Sequence, residues 1–151
     1  MMNYKGDVNM TIIFLDIDGV LNQLQPYKID KTCVAALKQL IKSLSAKVVL
    51  SSSWRLGYSS IYDKCTPQIK MLLDYLPRGI VVGITKQLDS RDAEISDYIA
   101  RHNIDNYVIL DDDKSEFKRP IEGLYIVNHK TGLTDKDVRK ILKERRFSEC
   151  I

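Results

Sequence analysis

A chain of 151 residues with 44% apolar and 28% charged content is long enough to bury a core of its own and is ordinary for one globular domain. Its net charge of +3 admits an anionic substrate or nucleic acid without requiring either. The absence of an apolar run of membrane-span length, the polar start MMNYKGDVNM, and three widely spaced cysteines (Cys33, Cys65, Cys150) argue against a membrane anchor, a signal peptide, a disulfide framework and a zinc site, so the expectation is a reduced, cytoplasmic protein.

Residues 1–10 read as a loose leader to a single domain over 11–147. Thr11 to Leu15 is apolar and β-branched, a buried strand. A loop containing Pro26 leads to Asp30, a candidate N-cap, and Val34, Leu37, Leu40, Ile41 and Leu44 then recur at helical spacing, with Cys33 on a helix face. Lys47 to Leu50 is the second strand, followed by Ser51-Ser52-Ser53-Trp54-Arg55 and a loop from Leu56 to Cys65. Thr66-Pro67 reads as an N-cap with proline at the first helical position, opening a helix that stops near Pro77. Ile80 to Ile84 is a third, short strand. A helix carrying Ile95, Tyr98 and Ile99 precedes the fourth strand, Asn106 or Tyr107 to Leu110, and Leu124 to Val127 is the fifth. Thr134 caps a last helix whose Lys140, Lys143, Arg145 and Arg146 suit the negative end of a helix dipole. Cys150 falls in a tail.

Strands alternating with helices predict one Rossmann-like α/β domain: three layers around a five-stranded parallel sheet. Ligands in such sheets sit beyond the carboxyl ends of the strands, where strand order reverses. Polar residues cluster there: Asp16 and Asp18 after the first strand, Ser51 and Ser52 after the second, Asp111 to Asp113 after the fourth. In extended backbone Asp16 and Asp18 point the same way and repel unless a cation or a proton intervenes.

These residues suit phosphoryl chemistry. Asp16 is the candidate nucleophile and Asp18 the candidate general acid and base, with Gly19 allowing a tight turn. Mg²⁺ would take oxygens from Asp16, the Asp18 carbonyl and Asp111 or Asp112, with Asp112 preferred as direct ligand; Asp113 is a solvated or capping acid. Ser51 or Ser52, the latter preferred, would donate a hydroxyl to a phosphate oxygen. Arg55 would either reach substrate or form a surface ion pair. The cation beside the phosphate is Arg91, Lys86 or Lys114, with Arg91 preferred. Trp54 is assigned to packing, with base stacking as the alternative; His102 and His129 are read as surface or loop residues.

The motif Asp16-Ile17-Asp18-Gly19-Val20-Leu21-Asn22, followed by Val108 to Asp112, resembles the haloacid dehalogenase (HAD) superfamily of Mg²⁺-dependent phosphatases. Ser52 to Arg55, Arg91 with Glu94-Ile95, Tyr107 through Asp113 and Gly132 to Thr134 look similar to the small HAD domain of Swiss-army-knife RNA repair proteins. The resemblance implies an aspartyl-phosphate on Asp16, Asp18 as acid/base, and a phosphatase rather than a dehalogenase because Asp18 is present. The superfamily's usual third-motif lysine is matched only by Lys86 or Arg91. The gaps between motifs leave no room for a folded cap, so the site should stay open to large substrates.

The expected function is therefore a Mg²⁺-dependent phosphomonoesterase acting on an exposed phosphate: a polynucleotide end, a nucleotide or a phosphoprotein, in that order. The basic last helix is a candidate contact for a nucleic-acid backbone, and no obligate protein partner is evident. The alternatives are a metal-dependent nuclease with the same acids and a degenerate HAD fold that only binds.

Overall fold

The computed structural model describes residues 10–25 and 28–149. The expected leader apart from Met10, the loop proline Pro26, and Cys150 lie outside the described residues. Five strands form one parallel sheet: β1 (Thr11–Leu15), β2 (Ala46–Leu50), β3 (Val81–Ile84), β4 (Tyr107–Asp111) and β5 (Leu124–Ile126), in the order β3-β2-β1-β4-β5. Four α-helices accompany them: α1 (Lys31–Leu44), α2 (Pro67–Tyr75), α3 (Arg91–His102) and α4 (Asp135–Glu149). The domain is Rossmann-like, and the connections after β1 and β2 carry no folded cap.

Alternation along the strands decides the layers. Ile13 and Leu15 of β1, Val48 and Leu50 of β2, and Val108 and Leu110 of β4 pack with α1, α2 and α4. Ile12, Phe14, Val49 and Ile109 point to the opposite face, against Ile95 and Tyr98 of α3. Chain order explains the arrangement. The first two crossovers run outward in one direction, and the third doubles back past β1 to β4. Right-handed crossovers then place α1 and α2 on one face and α3 on the other.

The helix starts match their sequence signals. The Asp30 carboxylate accepts from Thr32 N at 2.7 Å, and Thr66 Oγ1 accepts from Ile69 N at 3.4 Å ahead of Pro67. Thr134 and Asp137 form a reciprocal box: Asp137 N donates to Thr134 Oγ1 at 3.2 Å, and Thr134 N donates to Asp137 Oδ2 at 2.9 Å. Some boundaries differ from expectation. β3 begins at Val81 because the Ile80 N–H closes a turn on Pro77 O at 3.2 Å. The segment from Ser53 to Cys65 is not a plain loop but holds two 3-10 turns, Ser53–Gly57 and Tyr62–Lys64.

Candidate active site

Sheet register builds the site. Leu15 pairs with Leu50 on one side and with Leu110 on the other, so Asp16 follows between Ser51 and Asp111. All three continue the face that carries Phe14, Val49 and Ile109, the face covered by α3. The junction of β1 and β4 is also where strand order reverses. Two chain segments almost a hundred residues apart thus deliver their acids to one place.

Asp16, Asp111 and Asp112 each offer an oxygen within 4.8 Å of the others. Asp16 is 8% exposed and Asp111 1%. Burial, then the charge of Asp111 and a hydrogen bond with Asp112, push the Asp16 carboxyl up to about 9, against the pull of Arg91. Burial likewise raises Asp111, to about 6, opposed by the Asp113 N–H and by Arg91. Asp111 Oδ2 is buried without a hydrogen-bond partner, and a Cβ on Gly19 would overlap the Asp112 carboxylate. Crowded carboxylate oxygens, one of them without a hydrogen bond, are a donor set that fits a hard divalent cation such as Mg²⁺.

Arg91 stands at the first turn of α3, over these acids. Its Nη1 lies 3.8 Å from Asp16 Oδ1 and its Nε 3.9 Å from Asp111 Oδ2. Nη1 is buried and makes no hydrogen bond, as is Ser51 Oγ. Glu94 sits one turn along α3, with Oε1 3.8 Å from Arg91 Nε. Its Oε2 accepts from Arg55 Nη2 at 2.8 Å and from Leu88 N at 3.0 Å. Glu94 therefore ties the cation, the loop after β3 and the turn after β2 together.

Several expected site residues are placed differently from one another. Arg55 neither reaches outward nor lies on the surface. It is 7% exposed, paired with Glu94, and its Nη1 donates to Ser51 O at 3.1 Å and Ser52 O at 3.2 Å. Its guanidinium is held inside the protein by these partners, not in the surface ion pair that was the other expectation. Ser52 Oγ, the preferred hydroxyl, caps the 3-10 turn by accepting from Trp54 N at 3.1 Å, while Ser51 Oγ is left without a partner beside Asp16. Lys86 and Lys114 are exposed after β3 and β4, and take part in none of the ion pairs found among the described residues. Asp113 caps the 3-10 turn Lys114–Glu116 through Ser115 N at 2.9 Å. His102 stacks on Tyr98 at the surface end of α3, and His129 is exposed.

Asp18 is held apart from the three clustered acids. Its Oδ1 accepts from Asn22 Nδ2 at 2.9 Å and its Oδ2 from Trp54 Nε1 at 3.0 Å. Any contribution of Asp18 to a cation would come from its carbonyl. Asn22 Oδ1 accepts from Gly19 N at 2.9 Å, closing the turn at +88° φ that glycine tolerates. Glu94 and the indole N–H were not legible as site components. Only their neighbourhood within the quoted motifs pointed to them.

A parallel sheet without a cap, with paired acids after β1 and further acids after β4 at its switch point, defines a HAD-type domain. The chain belongs to the family described as the HAD domain in Swiss Army Knife RNA repair proteins, whose model matches residues 12–138. Membership supports a hydrolase, of the phosphatase kind, in a family that generally uses Mg²⁺. No curated protein and no solved structure matches the chain. No described helix is long and apolar enough to cross a membrane.

Proposed function

We propose that the protein is a Mg²⁺-dependent phosphomonoesterase acting through an aspartyl-phosphate on Asp16. The observation that carries this reading is the buried Asp16, set against Asp111 and Asp112, with Arg91 Nη1 3.8 Å away and making no hydrogen bond. Asp16 attacks phosphorus and the bond to the leaving oxygen breaks as Asp18 supplies that oxygen with a proton. Water then attacks the phosphorus, its proton passes to Asp18, and the bond to Asp16 breaks to release phosphate. Arg91 offsets the phosphate charge in place of the superfamily's lysine, and Ser51 is the hydroxyl free to donate to a phosphate oxygen. Asp16, the Asp18 carbonyl and Asp112, with Asp111 alongside, would hold a Mg²⁺, whose charge would relieve repulsion between Asp16 and the phosphate.

A site with no cap domain would admit a phosphate at the end of a large molecule, a polynucleotide terminus before a nucleotide or phosphoprotein. Asp16→Asn should abolish hydrolysis of p-nitrophenyl phosphate while circular dichroism shows the fold intact. Full activity in that variant would overturn the mechanism. Release of free phosphate from 3′- or 5′-phosphorylated oligonucleotides supports the substrate class; cleavage of internal phosphodiesters alone would favour a nuclease.

A further inference from the structure

Asp18 lies outside the cluster of Asp16, Asp111 and Asp112 suited to a cation. Each of its carboxylate oxygens carries one N–H donor, and the two donors come from different parts of the chain. Asn22 belongs to the same turn. Trp54 belongs to the 3-10 turn after β2 and arrives 36 residues later. A buried tryptophan normally finds a partner for its indole N–H, and a carboxylate is among the strongest available. Phenylalanine would serve packing alone.

The indole is itself held firmly. Trp54 is 8% exposed, and its backbone N–H donates to the Ser52 hydroxyl. The next residue, Arg55, is anchored to the carbonyls of Ser51 and Ser52, which join β2 to the turn, and to Glu94. The turn is thus fixed to β2 on one side and α3 on the other, and it carries the indole to Asp18 as a rigid extension. A carboxylate pinned at both oxygens has little freedom to rotate.

We propose that Trp54 is a positioning residue for Asp18, its indole N–H holding the carboxylate in one orientation for proton transfer to the leaving group. The proposal rests on the phosphomonoesterase reading for its chemistry, though not for the contact. During cleavage the phosphorus–oxygen bond to the alcohol breaks, the Asp18 proton moves to the departing oxygen, and Asp18 becomes a carboxylate that still accepts from Trp54. A leaving group that is stable as an anion needs no such proton. The loss of orientation should therefore be felt according to the leaving group, whereas damage to the fold would be felt by all substrates alike.

The test is Trp54→Phe assayed by kcat/KM, which reports the steps through loss of the alcohol. Glycerol 2-phosphate should lose about tenfold, a part of the contribution a positioned general acid makes, and 2,4-dinitrophenyl phosphate less than about twofold. Asp18→Asn should show the same pattern, enlarged. Equal losses for both substrates, or none, would overturn the proposal. The protein contains one tryptophan, so its indole N–H gives a single assignable signal in a ¹⁵N-labelled sample. That proton should lie downfield in the unaltered protein and move upfield in Asp18→Asn; an unmoved signal overturns the proposal even where Trp54→Phe does not fold. If the unaltered protein hydrolyses no phosphate monoester, the phosphomonoesterase reading fails, and the indole signal still decides the contact.

Discussion

Arg55 and Glu94 carry opposite charges at side-chain exposures of 8% and 6%, with nitrogen and oxygen 2.8 Å apart. At that depth neither charge has water to fall back on. Arg55→Met would leave the buried Glu94 carboxyl short of its partner, so unfolding free energy in urea should fall by about 3–5 kcal/mol. A second substitution, Glu94→Met, should restore a large part of that loss, because the stranded carboxyl goes with it. The same pair shows why Arg55 could not be placed from sequence. An arginine after a strand is equally suited to substrate, solvent or a buried partner, and Glu94 lies 39 positions away. Serine assignment followed a similar course. Two adjacent hydroxyls differ in which face of the strand end they occupy: Ser52 Oγ accepts from Trp54 N as the cap of the turn, and Ser51 Oγ has no hydrogen-bond partner.

At the scale of elements, the turn that closes β1 is tightly constrained. Gly19 has φ of +88°, and the space where a side chain would begin is filled by the Asp112 carboxylate. Gly19→Ala would combine roughly 1–2 kcal/mol of backbone strain with displacement of Asp112. The expected result is a lower melting temperature and a smaller rise on adding Mg²⁺ than in the unaltered protein, both read by thermal denaturation with and without the ion. The strands and helices were legible because periodicity repeats over many residues, and the caps because one side chain satisfies one N–H. The 3-10 turn Ser53–Gly57 was not, since five residues carry no period, yet it presents both Trp54 and Arg55 to the site.

For the molecule as a whole, the buried acids couple stability to pH. Asp16 and Asp111 hold protons more tightly folded than at their ordinary value of 3.8, Asp111 to about 6 and Asp16 to about 9. Their contribution to stability is complete below 3.8 and is lost as pH rises through those values, because the unfolded chain then releases protons that the fold retains. The metal-free protein should therefore lose melting temperature between roughly pH 5 and pH 9. Mg²⁺ needs ionised oxygens, so it should raise the melting temperature more near pH 8 than near pH 5. An equal shift at both would mean that the ion does not bind these carboxylates.

The amino-acid sequence by itself determined a parallel α/β domain with acids at the ends of its first and fourth strands, because apolar alternation, capping residues and the right-handed crossover act locally and leave few topologies open. It also marked Arg91 as a candidate cation. Which of Lys86, Arg91 and Lys114 stands over Asp16, which serine remains free, and what Asp18 is tied to were decided only by tertiary structure. Those answers depend on strand register and on the face to which α3 returns, and both are set by packing across the whole sheet.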